Sequence, residues 1–450
     1  MMVNKRGLFL LITVIMSVFI SCYLAIGVQE KLIFPGETWL KYVNPEEAGF
    51  SLEKLAKAKE FSEKIGSAAV LVIYDGVVLT SWGDVDRRYM CHSIRKSFMS
   101  ALYGIYVDKG KINLDKNLAD LGITENGRLT EKEKKARISF LLKARSGVYI
   151  PAAYETTRMK LRRPKKGSFA PGTYWYYNNW DFNVLGTIFE QETGEKIFEG
   201  FKDKIADPLQ MEDYRIIDGY YHYEKENSIY PAYPFKMSAR DMARFGLLYL
   251  RKGKWGNQQI IPKHWIDEST RSYSKTYNSL WDGYGYLWWI NSSNGIYAAR
   301  GNGENTIEIV PTEKIVFVHR ANTYEGKNNS PTQVSLLLSS ILDAKIGPSK
   351  PNPKLVPLSP ASEKKKGIEI SEDILNRYIG QYKLPEEIII EIIKDAKQLI
   401  FKHPQVGNFS LIPYEPTKFF IEDLGGDLEF KDKEIVIHGN NTELIAKKTR

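Results

Sequence analysis

Ser93-Ile94-Arg95-Lys96 places a hydroxyl and an amine three residues apart. On a helix, residues i and i+3 share a face, so the Lys96 amine can reach the Ser93 hydroxyl. The positive end of the helix favours a developing alkoxide. Burial lowers a lysine pKa, and the neutral amine can then accept the serine proton. This is the chemistry of a nucleophilic serine activated by a lysine base. The same spacing recurs at Ser51, Ser272 and Ser362, but in other surroundings. Ser51 opens an ordinary amphipathic helix, Ser272 lies in a polar stretch, and Ser362 lies in a Pro/Lys-rich segment. Only Ser93 begins an apolar helix that follows a hairpin. The competing reading makes Ser93 a helix cap beside a solvated Lys96.

A second segment bears on that choice. Pro171-Gly172-Thr173-Tyr174-Trp175-Tyr176-Tyr177-Asn178-Asn179 resembles the Pro-Gly-x-x-x-x-Tyr-x-Asn segment of class C β-lactamases and their esterase and peptidase relatives. Tyr177 and Asn179 take the Tyr and Asn places. Tyr176 and Asn178 form an overlapping copy, which the distance from Pro171-Gly172 rejects. Three further segments look like those of the same family: residues 92–98 around the nucleophile, Leu141-Leu142 followed by Ser146-Gly147, and Ser238 through Asp241, Ala243 and Arg244. They occur in the expected order over residues 38 to 342, and four in order identify the chain as similar to these serine hydrolases.

The resemblance implies that Tyr177 shares proton transfer with Lys96 and that Asn179 orients the lysine and the substrate carbonyl. It also implies an oxyanion hole of the backbone N–H groups of Ser93 and Asn302, beside Gly301. The third family motif departs from its usual form. Where β-lactamases have Lys-Thr-Gly and many esterase relatives His-x-Gly, this chain has Ala299-Arg300-Gly301-Asn302-Gly303. That departure, with the absence of Ser-Asp-Asn, argues against a class A β-lactamase. Arg300 then has two readings: a substrate-binding guanidinium suited to a carboxylate, or an arginine turned to solvent from an edge strand.

Other constellations point elsewhere. The histidines His92, His222, His264, His319, His403 and His438 show no zinc-type spacing, so neither metal nor cofactor is expected. His92 adjoins Ser93, and a packing role is expected for it. Tyr284, Tyr286 and Trp288 alternate as if along a strand and read as core or cleft wall.

These residues need a scaffold. Helical patterns cover residues 47–65, 94–105, 131–143, 238–250, 333–342 and the first half of 182–198. Strand patterns at 68–80, split by Asp75-Gly76, form a hairpin. More strands follow at 285–290, 306–310 and 315–319. Strands at both ends of the region and helices between them predict an α+β sandwich of the β-lactamase/transpeptidase-like type. It has one antiparallel sheet, helices on both faces, and an added helical region. The hydrolase domain is expected over residues 35–345. Residues 346–367, with five prolines among Lys and Ser, read as a linker. Seven short strands within 368–450 predict a small antiparallel β-barrel, and this resembles the lipocalin-like domains appended to some such hydrolases.

The chain has 450 residues, 43% hydrophobic and 26% charged, which excludes collagen-like, wholly disordered and polytopic membrane classes. Its net charge of +9 is dispersed without a long basic stripe, and no nucleic-acid partner is expected. Two cysteines, Cys22 and Cys91, exclude a disulfide framework. Lys5 and Arg6 precede 22 uncharged residues, Gly7 to Val28, which would span about 33 Å as a helix. Residues 1–28 therefore read as an anchor, as a signal peptide cleaved after Ala25-Ile26-Gly27, or as a lipobox at Phe19-Ile20-Ser21-Cys22. Each places the rest of the chain on the exported side of the cytoplasmic membrane, with membrane attachment through this segment. The expected function is an exported serine hydrolase that acts through an acyl-enzyme on a small ester, amide or peptide. The alternative is a catalytically silent relative that binds envelope peptide or lipid.

Overall fold

In the computed structural model, residues 32–359, 367–439 and 442–449 are described. The readings of residues 1–28 lie outside them. Ten strands join in one sheet. In chain order they are Leu40–Tyr42 (β1), Ala69–Tyr74 (β2), Val77–Gly83 (β3), Ser274–Lys275 (β4), Gly283–Tyr284 (β5), Trp289–Asn291 (β6), Ile296–Gly301 (β7), Asn305–Val310 (β8), Ile315–Arg320 (β9) and Leu355–Pro357 (β10). Their order across the sheet is β10-β1-β3-β2-β9-β8-β7-β6-β5-β4. The β2–β3 hairpin turns where expected: Asp75 (φ 47°) and Gly76 (φ 94°) both adopt left-handed backbone, which matches the twist of the two strands.

The sheet is mixed rather than wholly antiparallel, because β1 meets β3 in parallel at Lys41↔Val78. The chain crosses through a helix, Leu52–Lys64 (α1), before it enters the hairpin, and that crossover sets the direction. A second correction concerns the Pro-rich segment, which is no plain linker. Its residues Leu355–Pro357 pair with β1, Leu40 opposite Pro357. Proline is tolerated there because β10 is an edge strand.

Helices cover both faces. The others are Arg95–Asp108 (α2), Ile138–Leu142 (α3), Thr157–Arg162 (α4), Asn179–Thr193 (α5), Ile197–Phe201 (α6), Ala239–Leu250 (α7), Lys263–Ser269 (α8), Pro331–Leu342 (α9) and Glu372–Tyr378 (α10). The period-2 alternation of β2 divides the core. Ala69, Leu71 and Ile73 face Phe98 and Leu102 of α2, Leu185 of α5 and Phe245 of α7. Val70, Val72 and Tyr74 face Leu55 of α1 and Leu337 of α9. The helix expected over residues 131–143 is broken. Ala136 accepts from the Leu118 N–H and Ile138 donates to the Lys116 carbonyl, so residues 136–137 are drawn into extended pairing.

The C-terminal region closes into an eight-stranded antiparallel barrel. Its strands are Gly380–Lys383 (β11), Ile389–Asp395 (β12), Gln398–His403 (β13), Gly407–Pro413 (β14), Lys418–Ile421 (β15), Asp427–Lys431 (β16), Glu434–Gly439 (β17) and Thr442–Lys448 (β18). The strand beyond the expected seven is β11, which closes the barrel by pairing Tyr382 with Lys448. Tyr378 of α10 stacks on Phe430 at 3.9 Å and packs against the barrel core.

The barrel is locked onto the sheet domain by buried charge. Arg88, 4% exposed, reaches Glu422 at 2.7 Å and Asp423 at 2.7 Å on the barrel, and Asp218 at 3.7 Å on the sheet domain. Arg215 bonds Ser410 of β14 at 2.9 Å, and buried Lys236 lies 3.4 Å from Asp218.

Candidate active site

His92 adopts a left-handed backbone (φ 48°), and the 3-10 turn His92–Ile94 hands the chain directly to α2. Ser93 thus stands at the helix entrance and Lys96 in the first turn. Lys96 is 1% exposed. Its Nζ lies 2.9 Å from Ser93 Oγ, 2.7 Å from the Tyr177 hydroxyl and 2.9 Å from Asn179 Oδ1. The structure therefore brings together Ser93 and Lys96, singled out by their spacing, with Tyr177 and Asn179, which the family resemblance pointed to. Burial, reinforced by the neighbouring Arg95 guanidinium, pushes the Lys96 pKa well below its ordinary value. A neutral amine has two N–H groups and one lone pair. Asn179 Oδ1 can only accept, so it takes one N–H. The two hydroxyls can divide the other N–H and the lone pair, which lets Ser93 point its proton at Lys96. Burial raises Tyr177 to about 12, so it stays protonated at neutral pH.

The register of the second motif resolves physically. Asn178 caps α5 through the Trp180 N–H and donates to Val148 O at 2.6 Å, while Tyr176 bonds Met159 O at 2.8 Å. Those residues build the turn and leave Tyr177 and Asn179 to face Lys96. The Ser146 segment is fastened to the same turn, with Ser146 Oγ 2.5 Å from Asp181 Oδ1.

Gly301 ends β7 against the nucleophile turn. A Cβ built on it would lie 2.5 Å from Cys91 O and 3.2 Å from the Ser93 nitrogen. Glycine here lets the Ser93 and Asn302 backbones approach, and Asn305 Nδ2 holds the Asn302 carbonyl at 2.8 Å. Gly301→Ala is therefore expected to slow acylation by about a hundredfold through misplacement of the nucleophile. The labelling rate of Ser93 at a matched folded fraction, from circular dichroism, checks this.

Arg300 does not join the group. Ala299 faces the core shared with Ile94, and Arg300, one residue on, turns to the other face. There it pairs with Glu304 and lies over the rings of Trp281 and Trp289. Its charge is already met, so neither the free carboxylate-binding guanidinium nor the solvent-facing arginine describes it. The expected strand at 285–290 also breaks, since Leu287 adopts φ 65°. Tyr284 and Trp288 go to the core, and Trp289 stacks on Tyr177 at 5.3 Å as the aromatic wall.

His92 packs, as expected, with Nε2 2.8 Å from Thr323 Oγ1 and Nδ1 3.3 Å from the Tyr154 hydroxyl. Burial, with Arg320 and Arg95, holds its pKa down at about 3, so it is neutral near pH 7. Tyr154 itself escaped the sequence reading. Its backbone carbonyl accepts from Asn179 Nδ2 at 2.5 Å, a main-chain role that side-chain type does not signal. Asn183, which bonds Arg95 at 3.1 Å, lies four residues after Asn179, and that helical spacing was the available clue.

The family model described as Beta-lactamase matches residues 52–334. The chain belongs to the beta-lactamase family. This family is one of serine hydrolases. A D-aminopeptidase of Brucella anthropi is 37% identical over 71 residues, 16% of this chain and 13% of the relative's length. The match thus spans only a small part of that enzyme. Among solved structures, SurE with D-Leu aligns at a TM-score of 0.50 and 15% identity, covering 90% of this chain and all of that one. A penicillin-binding protein homologue from Caulobacter crescentus aligns at 0.50 and 14%, covering 66% of this chain and 99% of that one. These two likenesses are of fold. Among the described residues no helix is long and apolar enough to cross a membrane, and no group of three or more His, Cys, Asp or Glu could hold a metal ion.

Proposed function

We propose that this beta-lactamase-family chain is an acyl-enzyme serine hydrolase of small amides or peptides, with a D-configured residue on the acyl side. The observation that carries the reading is the buried Lys96 amine, within 2.9 Å of Ser93 Oγ, the Tyr177 hydroxyl and Asn179 Oδ1. Ser93 Oγ attacks the carbonyl carbon while its proton passes to Lys96. The backbone N–H groups of Ser93 and Asn302 receive the oxyanion. The leaving nitrogen departs with a proton delivered through Lys96 and Tyr177. Water then attacks the acyl-enzyme, the same pair takes its proton and returns it to Ser93 Oγ as the acyl C–O bond breaks, which restores the free serine and the neutral lysine. The similarity to D-aminopeptidase supports the D-configured substrate. The pairing of Arg300 with Glu304 leaves no cation of the third motif for an anionic group, so substrates without one are favoured over β-lactams.

The test is a fluorophosphonate probe followed by a substrate panel. The probe is expected to label Ser93, and D-alanine p-nitroanilide to turn over faster than its L-isomer and than nitrocefin. A folded protein left unlabelled would instead favour the silent binding relative. Equal D and L rates would sink the stereochemical part alone.

A further inference from the structure

We propose that the C-terminal barrel positions the catalytic lysine through His222 and Glu224, an inference that rests on the acyl-enzyme reading above. The turn between β13 and β14 sits on the sheet domain beside the active site. Pro404 O faces His222 Nδ1 at 3.0 Å, and Gln405 O accepts from the Tyr220 hydroxyl at 3.0 Å. Gly407 (φ +104°) lies so close to the Tyr220 ring that a Cβ would come within 2.9 Å of it. From this seam a continuous path runs inward. His222 Nε2 lies 3.0 Å from Glu224 Oε1, and the same oxygen accepts the Tyr154 N–H at 3.0 Å. The Tyr154 carbonyl accepts from Asn179 Nδ2, whose Oδ1 accepts from Lys96. Each link lies at hydrogen-bonding distance, and each residue has one side toward the barrel and the other toward the lysine; Pro404 O and Glu224 Oε1 both only accept, so His222 donates to both when each ring nitrogen bears a proton.

The link that needs support is Tyr154. It holds a left-handed backbone (φ 66°) in a stretch without regular structure, a conformation unfavourable for a non-glycine residue unless its surroundings fix it. Glu224 fixes its N–H, and Asn227 Nδ2 holds the other Glu224 oxygen at 2.6 Å. The His222 ring packs edge-on against the Tyr154 ring at 5.3 Å. A second barrel contact braces the opposite side of the nucleophile turn. Phe409 of β14 packs on Tyr324 at 5.8 Å, and the adjacent Thr323 bonds His92, next to Ser93. The barrel therefore bears on the loop that orients Asn179 and on the turn that presents Ser93. His222 and Glu224 touch neither Ser93 nor Lys96 directly; they act as positioning residues.

The full chain with Glu224→Ala tests this. The rate constant of fluorophosphonate acylation per labelled site is expected to fall by about tenfold to a hundredfold, with the titratable number of sites unchanged. Its pH profile should also move, because Lys96 loses a fixed partner. Glu224→Gln, which keeps an acceptor for Tyr154, should recover most of the rate. His222→Asn, which breaks the barrel link while leaving Glu224 in place, should show the same defect in milder form and serves if Glu224→Ala does not fold. A purely structural role would lower the number of active sites and leave the rate per site alone. Acylation within twofold of wild type in both variants would overturn the positioning role while leaving the hydrolase reading intact. A wild type unlabelled at Ser93 would overturn both.

Discussion

Ser93→Ala and Lys96→Met are each expected to lower kcat by roughly 10⁴-fold or more, and the double variant by no more than the worse single one. The reason lies in the 2.9 Å contact between them. Serine hydroxyls are poor nucleophiles until a base takes the proton as the bond forms. Removing the base leaves a hydroxyl that cannot be activated. Removing the hydroxyl leaves a base with nothing to activate. Residues that act as one unit do not contribute additively. Methionine is the apt replacement because Lys96 is fully buried and the apolar isostere keeps the helix packed. Steady-state rates on the D-alanine anilide, with the folded state checked by circular dichroism, supply the cycle. Multiplying effects in the double variant would mean that the two residues act in separate steps, and the shared proton would be lost.

The same pair predicts a pH profile with a definite sign. Burial and Arg95 push the Lys96 pKa down from its ordinary 10.5. Below the lowered value the amine is protonated and cannot accept from Ser93. Acylation therefore rises with pH through that value and reaches its plateau before 10.5. Tyr177 enters from the other side. Held up at about 12 by burial, it remains a proton donor across the plateau.

Local chemistry was legible in the sequence where a motif and its surroundings agreed. Asp75-Gly76 turns the hairpin because both residues accept left-handed backbone. Ser93 and Lys96 meet because they are three apart where the 3-10 turn His92–Ile94 runs straight into α2. Tyr177 and Asn179 prevail over Tyr176 and Asn178 because the latter pair is consumed in building the turn. What escaped depends on partners distant in sequence. Leu355–Pro357 reads as linker, since nothing in Leu-Val-Pro announces that β1 leaves an edge open. Gly380–Lys383 carries one apolar residue, Tyr382, and becomes a strand only by closing the barrel between β12 and β18. Arg300 stood in a motif whose face could not be assigned without the register of β7 against β8. Tyr154 contributes a carbonyl, which every residue has. His222 and Glu224 matter through a loop nearly two hundred residues later.

Arg88→Met is expected to cost about 3–5 kcal/mol of stability, the scale for removing one partner from a buried charge cluster. Arg88 reaches Glu422, Asp423 and Asp218, and the Asp423 and Asp218 side chains are 7% and 0% exposed. Lys236 and Arg215 would remain, so the cluster would pass from three cations facing three carboxylates to two facing three. Methionine preserves the apolar stem but leaves Asp423, whose side chain is 7% exposed, without its direct ion pair, held only by the backbone N–H of residue 88 at 3.2 Å and the more distant Lys236. The loss should be partly reversed by Asp423→Asn in the same chain, because removing the stranded charge also removes its desolvation cost. Acid provides an independent reading. Burial opposes ionisation of Asp218, yet Lys236, Arg88 and Arg215 hold its pKa below the ordinary 3.8. A depressed carboxyl stabilises the fold above its unfolded pKa, and that stability is lost as pH falls through the folded value. Without Arg88 the folded value rises, so the variant should lose structure at a higher pH than wild type. Urea unfolding at neutral pH and an acid titration by fluorescence measure the two effects. An unchanged urea midpoint would mean that the barrel is held by its apolar contacts and by the Tyr220, His222 and Asn408 hydrogen bonds instead. A lowered midpoint, with acylation slowed under conditions where the chain is still folded, would tie the stability of this seam to the placement of Lys96.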